Sequence, residues 1–267
     1  MKYQPSDMYW HGQFLKEIVT AKDTKVILEL GVRTVDDDLN ASSTFIFYKA
    51  LERLHRRYPS STPRVLYSCD MVEPAPHLAR VPHKSAKLLK RLKRSENPVW
   101  EFFLGDDREQ FLPIEECLNR KNQEVDILLI DTHKNYELTK FELENYSKLL
   151  SESGIILMHD LGINWKWNAI TSSKYQRGAY DPKAVEEFKG HDRATMEFMN
   201  STEFKIKIQL GSYNMAVLYR DISHLNGVEP QDLPYDNKRN QITEWQMLER
   251  RQSWDEIWGE YTDKENK

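Results

Sequence analysis

Short apolar runs alternate with longer amphipathic segments along residues 1–220. The short runs have the length of buried strands, and the longer segments place apolar side chains every three or four positions, as helices do. The predicted strands are residues 25–32, 64–69, 100–104, 124–130, 154–158, 204–210 and 215–219. The predicted helices are residues 8–20, 43–58, 82–94, 136–150 and 183–200.

This alternation predicts an α/β fold for residues 1–220, with a Rossmann-like, doubly wound and mostly parallel sheet. Strands joined through helices form right-handed crossovers, which cover both faces of the sheet. The last two strands flank Gly211 and predict a closing antiparallel hairpin. Residues 221–267 change character, because a polar linker with two prolines precedes an aromatic stripe in residues 242–261. We expect a C-terminal linker and helical extension there, and the stripe favours a homodimer.

Composition narrows the class of protein further. The chain has 267 residues, a formal net charge of −4, and 7 Trp, 13 Tyr and 10 Phe, so it can bury a real core. No apolar run approaches the roughly 18 residues of a membrane span, and the start lacks the pattern of a secretory signal. Two cysteines without a CxxC spacing fit a reducing compartment, so a cytoplasmic location is expected. The slightly acidic balance disfavours a general nucleic-acid binder.

Carboxylates at or near the ends of the predicted strands are the candidate functional groups. In an open parallel sheet, ligands bind beyond the carboxyl ends of the strands. A carboxylate after the second strand can accept hydrogen bonds from both hydroxyls of a ribose, and a carboxylate inside an apolar strand needs a partner. The acidic residues at these positions are Glu29, Asp70, Asp106, Asp131 and Asp160.

Some of these residues have simpler structural interpretations. Asp106 suits a helix N-cap as well as a ligand site. His133 and His159 are weak signals individually, because hydrogen-bonded structural histidines are common. The basic segment from Lys84 to Arg94 fits an amphipathic surface helix better than a site for an anionic substrate or nucleic acid.

Three motifs resemble class I S-adenosylmethionine-dependent methyltransferases, in the branch of cephalosporin-hydroxylase-like proteins and small O-methyltransferases. They are VILELGVR from Val26, VDILLIDTHKNYELTKFEL from Val125 and GIILMHDLG from Gly154. The similarity covers about residues 8–220. It implies S-adenosylmethionine as the cofactor and methylation of a small-molecule hydroxyl, such as that of a sugar, a nucleotide-linked sugar or a natural product. Membrane partners are not expected.

The resemblance also implies roles for individual residues. Glu29 and Gly31 would lie beside the methionine part of the cofactor, with Arg33 in the loop near its carboxylate. Asp70 would bind the ribose hydroxyls, Asp106 would lie near the adenine, and Asp131 would lie at the cofactor edge. Asp131 and Asp160 would also be candidate ligands of Mg²⁺. The candidate catalytic residues are His133, His159 and Lys134, which stands where the family has histidine.

Two alternatives stay open at this stage. A nicotinamide-dependent oxidoreductase can use a similar sheet, although Glu29-Leu30-Gly31 lacks the spaced glycines of a dinucleotide fingerprint. A catalytically degenerate domain could instead bind the cofactor and act as an interaction module. The Gly-x-Gly that the family has after the first strand is absent, and Arg33-Thr34-Val35 leads into an inserted segment from Asp36 to Ala41. Leu161 stands where metal-using relatives often have a second oxygen ligand.

Overall fold

A computed structural model describes residues 15–16, 18–20, 23–32, 43–60, 62–72, 90–159, 161, 182–209 and 215–221. Residues 15–16 and 18–20 are helical and belong to the entry helix predicted over residues 8–20. The strands are β1 (Val26–Leu30), β2 (Val65–Asp70), β3 (Val99–Leu104), β4 (Val125–Ile130), β5 (Leu150–Met158), β6 (Lys205–Gln209) and β7 (Met215–Tyr219). The helices are α1 (Ser43–Arg57), α2 (residues 90–94), α3 (Asp107–Lys121), α4 (Tyr136–Tyr146) and α5 (Pro182–Ser201).

The described strands form one sheet of seven, in the order β3-β2-β1-β4-β5-β7-β6. The pairs β1–β2, β2–β3, β1–β4 and β4–β5 are parallel. Strand β7 runs antiparallel to both β5 and β6, so the predicted closing hairpin is confirmed. The strand order reverses between β1 and β4, where the chain leaves neighbouring strands toward opposite faces of the sheet.

Helices cover both faces of the sheet, as the alternating pattern predicts. One apolar cluster joins the entry helix, α1 and α2 to side chains such as Ile27, Leu66 and Leu129 on one face. The other joins α3, α4 and α5 to side chains such as Leu28, Tyr67 and Leu128 on the opposite face. Alternate residues of each strand thus enter different cores, which explains why β1 and β4 are apolar on almost every position.

The boundary between α4 and β5 differs from the prediction. The helical pattern extends over residues 136–150, but α4 ends at Tyr146 and a 3₁₀ turn covers Ser147–Leu149. Leu150 already belongs to β5, where it pairs with Val125 ahead of a shift in register. The apolar side chains at the end of this segment are buried in both arrangements, so periodicity alone did not distinguish them.

The other predicted strands and the helices predicted over residues 43–58 and 183–200 are found within a few residues of their expected bounds. Only residues 90–94 of the helix predicted over residues 82–94 are described, and they are helical. The predicted division into residues 1–220 and 221–267 stays a prediction, because residues 222–267 lie outside the described part. None of the described helices combines the length and the apolar character that crossing a bilayer requires.

Gly31 makes the contact between β1 and β4 at the switch point possible. Its φ of 82° lies in the left-handed region, and a Cβ atom there would meet the carbonyl oxygen of Asp131 at 2.1 Å. The Asp131 amide donates to the Leu30 carbonyl at 2.8 Å, so the two chains are held together at this point. The close backbone approach therefore requires a residue without a side chain.

We expect Gly31→Ala to lower the free energy of unfolding by roughly 2–4 kcal/mol. An alanine there would adopt a strained left-handed backbone conformation, and its Cβ atom would clash with the Asp131 carbonyl. Urea denaturation measures the change. Asn119→Ala on the exposed part of α3 is the control, with an expected change within about 0.5 kcal/mol. Equal stability of the two variants would contradict the tight contact.

Candidate functional site

The carboxyl edge of the sheet brings Asp131, Lys134 and His159 into contact. Asp131 follows β4 directly, and its Oδ1 atom lies 3.1 Å from Lys134 Nζ and 3.0 Å from His159 Nδ1. The His159 amide donates to the Ile130 carbonyl at 3.0 Å, which continues the pairing of β4 and β5. Two nitrogen groups from different segments thus contact the same carboxylate oxygen.

The environment of Asp131 favours its ionised form. Burial by itself would raise the pKa of this carboxyl group, but His159 and Lys134 outweigh burial and hold the pKa well below its usual range. The side chains of Lys134 and His159 are only 9% and 7% exposed, so little water screens these contacts. An ionised carboxylate is therefore available near neutral pH to orient both nitrogen groups.

Glu29 lies fully buried in β1 and is held by three hydroxyl groups. Ser43 donates to Oε1, while Thr44 and Ser68 donate to Oε2 at 2.7 and 3.0 Å. Trp100 Nε1 in turn donates to Ser68 Oγ at 3.0 Å. Burial is the main cause that raises the pKa of Glu29 to about 7, against the lowering effect of the hydroxyls. This network ties the start of α1 to β1 and β2.

Asp70 at the end of β2 holds the backbone beside Gly31. Its Oδ2 atom accepts from the Val32 amide at 2.7 Å, and its Oδ1 atom accepts from the Val72 amide at 2.9 Å. The Gly31 amide donates to the Cys69 carbonyl at 2.9 Å, so the turn after β1 is fixed against β2. Each carboxylate oxygen retains acceptor capacity for a further hydrogen bond, because it has two lone pairs.

The N-cap interpretation of Asp106 is confirmed. Its Oδ1 atom accepts from the Arg108 amide at 2.9 Å, and its carboxylate also receives the Arg108 guanidinium through Nε and Nη2 at 2.9 and 2.7 Å. The hydrogen bond from the Arg108 side chain is the main cause that lowers the pKa of Asp106 to about 2. Its carboxylate is thus ionised and largely engaged at the start of α3.

Sequence reasoning missed a second buried polar group on the other face of the sheet. Asp107 is 8% exposed and Glu142 is fully buried, and burial raises the pKa of both carboxyl groups. Tyr146 donates its hydroxyl to the Asp107 carbonyl at 2.6 Å. The available signal was the buried stripe of α4, where Thr139, Glu142, Leu143 and Tyr146 are spaced as one helix face.

The structure brings most of the predicted site residues to one edge of the sheet. Asp70 is the last residue of β2, and four other strands are followed there by Gly31, Asp106, Asp131 with Lys134, and His159; Glu29 lies one residue before the end of β1. His133 is also in the segment after β4, but its side chain is exposed. Arg33 and Asp160 lie outside the described residues, so their predicted roles stay predictions.

Comparison with known proteins agrees with this arrangement. A family described as a methyltransferase domain matches residues 42–161. The fold and this match confirm the resemblance to class I S-adenosylmethionine-dependent methyltransferases that the sequence motifs indicate. No curated protein is significantly similar to the chain.

Solved structures of O-methyltransferases have a similar fold. One is an O-methyltransferase of Bacillus cereus in complex with SAH, with 18% identity, a TM-score of 0.50 and coverage of 82% of both chains. Another is a TDP-rhamnose 3′-O-methyltransferase of calicheamicin biosynthesis, with 17% identity, a TM-score of 0.50 and coverage of 79% of both chains. At these identities the likeness shows the fold alone.

The residues that the structure describes do not by themselves form the Mg²⁺ site that the resemblance implies, and Asp160, one of its two predicted ligands, lies outside them. No group of three potential ligands is found among the described residues. Asp131 Oδ1 already contacts two nitrogen groups, and Leu161 is an apolar side chain that is 1% exposed. Mg²⁺ prefers several oxygen ligands in octahedral geometry. We therefore derive no chemical step through a metal ion.

The raised pKa of Glu29 predicts a specific dependence of stability on pH. In the unfolded chain this pKa returns to its ordinary value of 4.5, so between pH 4.5 and about 7 the folded chain keeps a proton that the unfolded chain has lost. Stability therefore falls as the pH rises through this window. Between pH 4.5 and about 7, we expect the free energy of unfolding to fall by on the order of 3 kcal/mol more in the parent protein than in Glu29→Gln.

Urea denaturation at a series of pH values measures this difference. Glu116→Gln, at an exposed carboxylate of α3, is the matched control and should follow the parent profile. Parallel pH profiles for Glu29→Gln and the parent protein would contradict a proton held on Glu29.

Proposed function

We propose that the chain transfers the methyl group of S-adenosylmethionine to the oxygen atom of a small-molecule hydroxyl. The observation that carries this proposal is the contact of Asp131 with Lys134 and His159 at the carboxyl edge of the sheet. These three side chains can stabilise the negative charge and accept the proton when the acceptor hydroxyl becomes a nucleophile. They lie beside the turn at Gly31 and in the loop region where ligands of such sheets bind.

The residues around Gly31 fit the cofactor. Gly31 turns the chain at the end of β1, at the edge of the sheet where ligands of such folds bind. Asp70 retains acceptor capacity for the ribose hydroxyls while it holds the Val32 amide. Glu29 has a structural role in this proposal. It accepts hydrogen bonds from Ser43 and Thr44, which hold the start of α1 in place beside the cofactor site. The bound cofactor supplies an electrophilic methyl group.

Lys134 and His159 have different roles toward the acceptor hydroxyl in this proposal. Lys134 places a positive charge beside Asp131, where it would stabilise the negative charge that develops on the acceptor oxygen. His159 directs Nδ1 toward Asp131, and this contact orients the imidazole so that its Nε2 atom can accept the hydroxyl proton. His133 is exposed and is the weaker candidate for the base.

The acceptor class follows from the fold relatives and the resemblance in sequence. One similar structure is named for O-methylation of a TDP-linked sugar. We extend this to the present chain as a sugar or natural-product hydroxyl, with a nucleotide-linked sugar among the first compounds to assay. Methyl transfer from labelled S-adenosylmethionine to a panel of such hydroxyl compounds, read by mass spectrometry, tests the assignment. A product that gains one methyl group on oxygen is expected, whereas exclusive methylation of nitrogen or carbon would contradict it.

Asp70→Ala should weaken the binding of S-adenosylhomocysteine at least about tenfold, because the acceptor for two ribose hydroxyls is lost. Isothermal titration calorimetry measures the affinity. Asp126→Ala is a matched control, since Asp126 also accepts from two backbone amides, of Lys25 and Val26, but at the opposite edge of the sheet. A folded Asp70→Ala variant with unchanged affinity would remove Asp70 from the cofactor site.

Lys134→Gln should reduce the rate of methyl transfer by about 10²–10⁴-fold while the affinity for S-adenosylhomocysteine changes less than about threefold. Lys148→Gln, at an exposed lysine after α4, is the control and should keep the parent rate. Retained activity in Lys134→Gln would exclude the role given to this residue. The same assay with EDTA should give the parent rate, and a rate that falls with EDTA and returns with Mg²⁺ would favour a metal-assisted reaction.

A further inference from the structure

We propose that Tyr136 is a positioning residue for methyl transfer, through which α5 holds Lys134 in place at the candidate site. The inference rests on the proposed function, in which Lys134 stabilises the negative charge on the acceptor oxygen. Tyr136 is the first residue of α4 and follows Lys134 closely in the chain. It can therefore fix the backbone that carries this lysine without touching the reacting atoms itself.

The Tyr136 side chain is held by charged groups of α4 and α5. Its hydroxyl donates to Glu197 Oε2 at 2.5 Å. The guanidinium of Arg193 and the ammonium of Lys140 lie over its ring, at 5.0 and 5.6 Å from the ring centroid. Arg193 Nε also lies 2.8 Å from Glu197 Oε1, which fixes these two α5 side chains to each other. Because cations are attracted to the π face of an aromatic ring, these contacts dock α5 onto the start of α4.

The two helices also meet through their backbones at Tyr136. A Cβ atom at Gly190 of α5 would lie 2.9 Å from the Tyr136 amide nitrogen, so the close approach leaves no room for a side chain. Farther into the core, Thr139 Oγ1 lies 2.8 Å from His191 Nδ1, and both residues are fully buried. The position of α5 against α4 is thus fixed by packing as well as by charge.

The short segment between Lys134 and Tyr136 transmits this placement. Asn135 caps α4, and its Oδ1 atom accepts from the Leu138 amide at 2.9 Å. The Asn135 amide donates to the His133 carbonyl at 3.1 Å, which closes a three-residue turn at Lys134. Since the backbone on both sides of Asn135 is fixed, a displacement of Tyr136 would also move Lys134.

Helix α5 braces the strand that precedes His159 as well. Thr195 Oγ1 lies 3.5 Å from the sulfur atom of Met158, the last residue of β5, and Thr195 is 1% exposed. One helix therefore supports the segments of both Lys134 and His159. Asp70, on the proposed cofactor side, belongs to β2, which β1 separates from β4 in the sheet. Loosening α5 should thus affect methyl transfer more than cofactor binding.

Tyr136→Leu in the full chain tests the proposal, because leucine has neither a π face nor a hydroxyl. We expect kcat per folded protein to fall roughly 10–100-fold for the hydroxyl compound that the parent protein methylates. The acceptor KM and the affinity for S-adenosylhomocysteine should each change less than about threefold. Phe141→Leu is the matched control, since it removes a ring of the same helix that packs against Phe111 of α3, and it should keep the parent kcat.

Nitrogen NMR of the Lys134 ammonium group gives a second measurement that needs no acceptor. Its signal is identified by its loss in Lys134→Gln. The signal should shift in Tyr136→Leu and stay in place in Phe141→Leu. If Tyr136→Leu does not fold, Arg193→Gln should shift the signal and lower kcat in the same direction, because it removes a cation from the Tyr136 ring.

Each outcome decides the proposal. A lower kcat together with a shifted ammonium signal in Tyr136→Leu, but not in Phe141→Leu, supports it. An unchanged kcat in Tyr136→Leu, equal losses in both leucine variants, or an unmoved ammonium signal would overturn it. A parent protein that methylates no hydroxyl compound would contradict the proposed function instead, and the ammonium signal would then still decide whether Tyr136 positions Lys134.

Discussion

The contact between the ends of β1 and β4 governs the geometry of the candidate site. Gly31 lets the backbone of β1 approach the Asp131 carbonyl more closely than any other residue would permit. The Asp131 amide then bonds to Leu30, and Asp70 holds the Val32 amide on the other side of the turn. The cofactor-side and acceptor-side groups of the proposed mechanism are thus positioned by one short stretch of backbone.

Buried polar groups on the two faces of the sheet reinforce this contact. On the α1 face, Glu29 receives hydrogen bonds from three hydroxyls, so a carboxyl group that would otherwise be costly to bury becomes a link between β1, α1 and β2. On the opposite face, Asp107 and Glu142 lie close to Tyr146 between α3 and α4. The carboxyl edge of the sheet is therefore supported by directional contacts as well as by apolar packing.

The sequence predicted the strands and the polar residues at their carboxyl ends, because periodicity and short motifs are local properties of the chain. Glu29 inside an apolar strand required a partner, and the structure supplies three hydroxyls. The contact of Lys134 with Asp131 could not be read from the sequence, because it depends on the path of the segment after β4. Glu142 escaped notice because its partner region starts about 35 residues earlier in the chain, at Asp107. The end of α4 was misplaced because Leu150 is buried in a helix or in a strand alike.

The central claim is that the edge formed by Gly31, Asp70 and Asp131 binds S-adenosylmethionine. Calorimetric titration of the full chain with S-adenosylhomocysteine, and separately with NAD⁺ and NADH, tests it most directly. The account predicts one site with micromolar affinity for S-adenosylhomocysteine, about 8 kcal/mol, and no measurable affinity for the nicotinamide cofactors. Selective binding of NAD⁺ or NADH, or no binding of S-adenosylhomocysteine to the folded protein, would contradict it.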